Sequence, residues 1–138
     1  SGKGGTNFSK IENYRRKEQE LDYLSDWGQT TVESLLETKK AHVSDDITII
    51  ASGGIRTPLD AAKAISLGAD AVGIAAPILY SLIKNGEDET VRFINDFKDG
   101  LINIMTMLGC RSISELKKIK MIADPYLQNY INQRNIPY

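Results

Sequence analysis

The run from residue 47 to residue 85 constrains the fold more than any other. Two short apolar segments of strand length are separated by one well-capped helix, and the second leads into another. Ile47-Thr48-Ile49-Ile50-Ala51-Ser52 is rich in β-branched residues and stops at Gly53-Gly54, which predicts a buried strand. Thr57-Pro58-Leu59-Asp60 predicts a helix start, with Thr57 as N-cap, Pro58 in the first position and Asp60 complementing the dipole. Ala61, Ala62, Ala64, Ile65 and Leu67 follow, and Gly68 ends the helix. Residues 69–74 predict a second apolar strand, and Ala75-Ala76-Pro77 opens the next helix. Strands without a polar face, alternating with helices, indicate an α/β fold with a parallel, helix-covered sheet.

Helices predominate on either side. Residues 9–24 are polar, with Ile11, Tyr14, Leu21 and Leu24 near helical spacing, and read as an exposed helical excursion. Asp26-Trp27-Gly28 breaks the pattern. Thr30 or Thr31 then caps a helix with Glu33 in its first turn and Val32, Leu35 and Leu36 inward, ending near Ala41. Beyond Asn85-Gly86, residues 88–108 carry Val91, Ile94, Phe97, Leu101, Ile104, Met105 and Leu108, the pattern of a long amphipathic helix. Gly109 caps it, Ser112 or Ser114 starts a short helix ending near Lys118, and Asp124-Pro125 opens a last helix bearing Tyr126, Leu127, Tyr130 and Ile131.

Two parallel strands leave faces and edges that need neighbours. Either the chain self-associates, or it is the back end of a larger barrel or doubly wound domain whose earlier strands lie upstream of Ser1. The opening Ser1-Gly2-Lys3-Gly4-Gly5-Thr6, with no Met and no element before it, suits a piece. With 17 Lys plus Arg against 18 Asp plus Glu, no overall charge attracts nucleic acid or an anionic membrane, so a phosphate ligand must be held locally. The longest apolar stretches fall short of the roughly 20 residues that cross a bilayer. Cys110, the single cysteine, has no internal disulfide partner and no secretion signal is visible, so the expected location is the cytoplasm.

The junction Ser52-Gly53-Gly54-Ile55-Arg56-Thr57 lies between a strand and a helix start, where main-chain amides are expected to point outward unpaired and bind an anion. Paired glycines admit close approach, and Arg56 adds a charged fork. Gly73-Ile74-Ala75-Ala76, ahead of a helix near Pro77, forms a second such site. In (β/α)₈ barrels, the loops after strands seven and eight and a short extra helix form the recurrent phosphate site. The first loop lacks the Gly-Lys-Ser/Thr ending of a P-loop. His42 has no Cys or carboxylate at metal-ligand spacing, so no metal site is expected. Trp27 either lines a pocket or anchors its loop, and Arg15-Arg16-Lys17 is either a solvated helix face or a basic loop facing a diphosphate.

Three blocks resemble the C-terminal half of type 2 isopentenyl-diphosphate isomerases: Ser1-Gly2-Lys3-Gly4-Gly5-Thr6-Asn7-Phe8 with Ile11-Glu12 and Arg15-Arg16; Trp27-Gly28 with Thr31; and Ser52-Gly53-Gly54-Ile55-Arg56 with Gly73-Ile74-Ala75-Ala76. The third block alone is also similar to 2-hydroxy acid oxidases and inosine monophosphate dehydrogenases. Lys3 stands where Arg is commoner in the family, and Gln29-Thr30 where Ile-Pro is frequent. The resemblance implies that residues 1–138 are the C-terminal part of a single FMN-binding TIM (β/α)₈ barrel, roughly strands seven and eight with flanking helices, and that residues 7–26 are a mobile excursion after strand six. It implies FMN contacts from Ser1 and Thr6, from Gly53, Gly54, Ile55 and Arg56, and from Ala75 and Ala76, the last two groups holding the phosphate.

The implied reaction converts isopentenyl diphosphate to dimethylallyl diphosphate with reduced FMN as acid and base, NADPH as reductant and Mg²⁺ on the diphosphate. The metal ligand and the catalytic residues fall in the N-terminal half, a partner this chain lacks, so none is assigned here and the isolated chain is expected to be inactive. Trp27 is placed near the hydrocarbon tail, and a homo-oligomer is expected. Two alternatives stand beside this. A hydroxy acid oxidoreductase of the same barrel type carries a His directly before the Gly-Gly-Arg segment, where this chain has Ser52. A non-enzymatic half-barrel that self-associates would show paired sheet edges.

Overall fold

The computed structural model describes residues 7–17, 20–41 and 46–138. The readings of Ser1, Thr6 and His42 lie outside them. The described order is helix α1 (Phe8–Arg16), a 3-10 turn (Asp22–Leu24), α2 (Thr31–Lys40), β1 (Ile50–Ser52), α3 (Pro58–Ser66), β2 (Ala71–Gly73), α4 (Ala76–Asn85), α5 (Glu87–Met107), α6 (Ile113–Leu116) and α7 (Pro125–Arg134).

The strands are parallel, with Ile50 opposite Ala71, Ala51 opposite Val72 and Ser52 opposite Gly73. Both are shorter than their apolar runs suggest, and the expectation of a buried strand needs correction. Ala51 is buried, whereas Ile50 on the opposite face is 63% exposed. Successive strand residues point to opposite faces, and among the described residues helices cover only the Ala51 face. Pairing starts just ahead of the strands, where the Asp70 carboxylate accepts from the Ile49 amide at 2.7 Å and the Asp70 amide donates to the Ile49 carbonyl at 2.8 Å. Lys117 closes on the other Asp70 oxygen. The Ile49 amide, then Lys117, hold the Asp70 carboxyl below its ordinary range.

Local chemistry places the helix starts. Thr30 caps α2 in a reciprocal box with Glu33 and Thr57 caps α3 in a box with Asp60, while Ser112 caps α6 and Asp124 caps α7. Leu35, Leu36, Ala51, Ile55, Ala61, Ala64, Leu67, Ala69, Ile131 and Ile136 form the main core. Ala62, Ile65, Cys110 and Leu116 form a second cluster on the other side of α3. α5 packs along α3 and α4. Its Phe97, Leu101, Ile104 and Met105 reach the core, whereas Val91, Ile94 and Leu108 remain exposed.

Lys40 reaches the Arg134 carbonyl, and three further polar contacts fasten α7 to α2 from residues one helical turn apart on α7. Tyr126 Oη donates to Glu33 Oε1 at 2.8 Å, and Tyr130 Oη to Glu37 Oε1 at 2.9 Å. Arg134 Nε donates to the same Glu37 oxygen at 2.6 Å. Arg134, then Tyr130, hold the Glu37 carboxyl below its ordinary value, and the hydrogen bond to Glu33 raises the Tyr126 phenol. The excursion from residue 7 is tied off by asparagines. Asn7 accepts from the Lys10 amide and donates to the Ser25 carbonyl at 3.0 Å, and buried Asn13 joins Asp22 at 2.7 Å and the Leu21 amide at 3.1 Å.

Gly100 lies inside α5 where that helix crosses the start of α3. A Cβ there would come within 2.6 Å of Pro58 Cγ and 3.1 Å of Pro58 Cβ. Gly to Ala inside a helix ordinarily stabilises by up to about 1 kcal/mol. Here the rigid proline ring gives the methyl no room, so Gly100→Ala is expected to destabilise by about 1–3 kcal/mol. Urea unfolding of the purified protein measures it, and an unchanged or raised midpoint would refute the contact.

Candidate functional site

Parallel pairing brings the carboxyl ends of β1 and β2 to one edge. Ser52 Oγ donates to the Gly73 carbonyl at 3.2 Å and ties the two ends together. A Cβ at Gly73 would lie 3.2 Å from that hydroxyl oxygen, a tight contact that a larger residue would make only by shifting the Ser52 side chain. Thr31, in the first turn of α2, donates its hydroxyl to the Gly53 carbonyl at 2.7 Å, with the Ser52 carbonyl at 3.2 Å. Gly53 and Gly54 have φ of 97° and 80°, values that carry a penalty for any residue with a Cβ. Nothing stands within 4 Å of where a Cβ of Gly54 would be, so the backbone there is open to close approach.

A cavity of 610 Å³ occupies this edge and is lined by Thr31, Gly53, Gly54, Ile55, Arg56, Gly73, Ala75 and Ala76. It continues down the flank of β1 past Ser34, Leu35, Thr38, Ile49 and Ile50. Six of the sequence-predicted site residues thus meet at one place. The exposed Arg56 stands at its rim, while Ile55 sends its side chain into the core.

The two helix starts beside the cavity differ. At α3 the amides of Arg56 and Thr57 donate to Asp60 Oδ2 at 3.1 and 2.9 Å, as does Thr57 Oγ1 at 2.9 Å. The expectation of unpaired amides at this junction is therefore corrected, because the chain supplies its own anion. Burial would raise the Asp60 carboxyl, but the hydrogen bonds from Thr57 and Arg56, with Lys63 nearby, outweigh it and hold the group below its ordinary value. At α4 the N-cap is Ala75, with no side-chain cap and no acid in the first turn. The positive end of that helix dipole is left for an external anion. The Gly53-Gly54 backbone, the uncapped start of α4 and the Arg56 cation fit a phosphate group.

Trp27 is separate from this edge. It is 75% exposed and lines a second cavity of 780 Å³ with Asn7, Phe8, Ser9, Leu24, Asp26, Gly28 and Gln29. Ser34 borders both cavities. Among the described residues no cluster of three or more His, Cys, Asp or Glu could hold a metal ion, and no helix is long and apolar enough to cross a membrane. Sequence reasoning missed the role of Thr31. The signal was present, because Glu33 lies three residues after Thr30, which assigns the cap to Thr30 and leaves the Thr31 hydroxyl to reach β1.

A family model described as FMN-dependent dehydrogenase matches residues 25–123. The chain belongs to the FMN-dependent dehydrogenase family. Among curated relatives it is 50% identical over 136 residues to the isopentenyl-diphosphate delta-isomerase of Latilactobacillus sakei, spanning 99% of this chain and 38% of that protein. The enzyme of the same name from Staphylococcus aureus strain Newman is 47% identical, again over 99% of this chain and 38% of the relative. The chain thus spans well under half the length of these relatives. Among solved structures it is similar to a mandelate oxidase variant carrying a monooxide FMN adduct, with a TM-score of 0.63 and 28% identity over 67% of this chain and 29% of that one. The flavin-binding domain of baker's yeast flavocytochrome b2 shares the fold, with a TM-score of 0.63 and 23% identity over 93% of this chain and 38% of that one. The mixed α/β architecture therefore corresponds to part of the barrel of FMN enzymes.

The depressed Asp60 carboxyl gives the α3 start a pH dependence of known sign. Its stabilisation is complete above the unfolded value near about 4 and is lost as pH falls through the lower folded value. Hydrogen-exchange protection of the Arg56 and Thr57 amides is expected to hold above about pH 5 and to fall as pH drops below about 4. Asp60→Asn should lower protection at the upper pH and flatten the dependence. Protection in the unaltered protein that ignores pH would contradict the assignment.

Proposed function

We propose that the protein carrying this chain is an FMN-dependent, type 2 isopentenyl-diphosphate isomerase, and that this chain supplies its FMN phosphate cradle. The carrying observation is the meeting of the Gly53-Gly54 backbone and the uncapped α4 start at one cavity, in a chain half identical to a named isomerase. On this reading β1 and β2 are strands seven and eight of the barrel, and the remainder of the polypeptide covers the exposed Ile50 face and the β1 flank. Gly53, Gly54, Ala75 and Ala76 offer main-chain amides to the phosphate, Arg56 adds its guanidinium, and Ile55 anchors the turn in the core. Ser1 and Thr6 lie along the flavin, and residues 7–26 form the excursion beside it. Trp27 faces the hydrocarbon tail of isopentenyl diphosphate.

The reaction adds a proton at one carbon and removes one from another, with no net redox change. Reduced flavin, generated by NADPH, would supply that acid and base chemistry near its N5. The part played by this chain is positional, because a weak carbon acid reacts only when held in register, and a cradle on two strand ends is a rigid mount. The Mg²⁺ that binds the substrate diphosphate has its ligands in the remainder of the polypeptide, and the assembled enzyme is a homo-oligomer.

A hydroxy acid oxidoreductase is the second reading, favoured by the family description and by the likeness to mandelate oxidase. Against it, Ser52 holds the position before Gly53-Gly54, and its hydroxyl is engaged on the Gly73 carbonyl. An anaerobic assay of the intact protein with isopentenyl diphosphate and Mg²⁺ separates the two. Dimethylallyl diphosphate is expected only when FMN and NADPH are both present, and none from residues 1–138 alone. An FMN-bound protein that oxidises 2-hydroxy acids and leaves isopentenyl diphosphate unchanged would establish the second reading. Arg56→Ala is expected to weaken FMN binding about tenfold, the loss of one charge-assisted contact worth about 1.4 kcal/mol. Fluorescence titration of the apoprotein reads it, and unchanged affinity would place the phosphate elsewhere.

A further inference from the structure

Thr31 belongs to a motif block of the sequence, and at this edge it reaches the backbone of the β1 end. Its hydroxyl donates to main-chain carbonyls, 2.7 Å from Gly53 O and 3.2 Å from Ser52 O. In a planar trans peptide the carbonyl of one residue and the amide of the next point in opposite directions, and no peptide bond described here is cis. Drawing the Gly53 carbonyl toward α2 therefore turns the Gly54 amide away from α2. Drawing the Ser52 carbonyl the same way does so for the Gly53 amide. Two successive amides presented to one side make an anion-binding nest, and both glycines line the 610 Å³ cavity with Ala75 and Ala76.

What holds Thr31 is the α2 start, and that start is itself braced. Glu33 is 5% exposed, and both of its carboxylate oxygens are used. Oε2 accepts from the Thr30 amide at 2.6 Å, and Oε1 accepts from Tyr126 Oη of α7 at 2.8 Å. A buried carboxylate keeps its geometry only while such partners are present. Tyr126 is 64% exposed, so its phenol ring contributes little packing and its hydroxyl is what reaches Glu33.

We propose that Thr31 is a positioning residue for the phosphate cradle, orienting the Gly53 and Gly54 amides, and that Tyr126 of the C-terminal helix acts on the same amides through Glu33 and the α2 cap. This rests on the reading of the cavity as the FMN phosphate site. It adds a route from α7, more than 70 residues later in the chain, to the affinity for the phosphate as distinct from the flavin ring.

The test compares FMN with riboflavin, which lacks the phosphate, by fluorescence titration of the intact apoprotein. Thr31→Val is expected to raise the FMN dissociation constant about tenfold and leave that of riboflavin unchanged, while Thr31→Ser, which keeps the hydroxyl, restores FMN affinity. Tyr126→Phe is expected to raise the FMN constant about threefold, again without affecting riboflavin. Combined with Thr31→Val it should add nothing, because both act through one element. Should Thr31→Val fail to accumulate as folded protein, Tyr126→Phe decides alone, since it removes one exposed hydroxyl. Parallel loss of both ligands would reduce the contacts to general packing and overturn the proposal. So would equal FMN affinity in the unaltered and Tyr126→Phe proteins, or multiplying effects in the double variant. An unaltered protein that binds riboflavin as tightly as FMN would instead overturn the phosphate reading itself.

Discussion

Parallel pairing of β1 with β2 is the constraint on which the other features depend. A parallel pair requires a crossover, α3 supplies it, and both strands then end at the same edge. With only three residues in each strand, the ladder itself contributes few hydrogen bonds, and side chains extend it at both ends. Asp70 and Lys117 close it at the entry, and Ser52 with Thr31 at the exit. The entry contacts stabilise the sheet. The exit contacts also orient backbone amides, so the same short ladder ends in a group of donors aimed at one cavity.

α3 and α4 show how two adjacent helix starts come to differ electrostatically. Both helices begin at the cavity edge, and both carry a proline in the first turn. Asp60 neutralises the positive end of α3 from within, whereas α4 offers only Ala75, Ala76 and Pro77. Aspartate at the one and alanine at the other leave only the α4 dipole without an internal anion. The crossover helix is thereby stable without a ligand, which suits an element whose Ala61, Ala64 and Leu67 lie in the main core.

Legibility from sequence followed the range of the interaction. The caps of α2, α3, α6 and α7 are local events, each a side chain reaching an amide two or three residues on, and all were visible as Thr, Ser or Asp before an apolar run. Gly53-Gly54 and Ala75-Ala76 were legible as neighbours at one edge because each pair follows a strand in a parallel sheet, and all four line one cavity. Strand length was not, since it depends on the partner and on how many faces are covered, and the apolar run of residues 47–52 outlasts its pairing. Residues such as Ile47 and Ile50 read as core although both are more than half exposed. The clasp of α7 on α2 was also invisible. Tyr126, Tyr130 and Arg134 are spaced one turn apart, but nothing local shows that Glu33 and Glu37, 93 to 97 residues earlier, are their partners. For Asp60 the sequence showed the right residue and concealed its consequence. An acid favourable to a helix dipole is also a competitor for the amides of that helix.

A phosphate cradle recognises the part of a cofactor far from its reactive ring, which accords with the likeness of this chain both to an isopentenyl-diphosphate delta-isomerase and to a mandelate oxidase. Its features report on the cofactor, and the chemistry has to be read from side chains that face the ring. Ser52 is informative here because it sits at the last position of β1, where a titratable side chain would project at the cavity edge. A hydroxyl bonded to the Gly73 carbonyl neither abstracts a proton nor carries a charge at neutral pH. At this strand end the side chain is a structural tie between β1 and β2, so it holds the scaffold without taking part in proton abstraction.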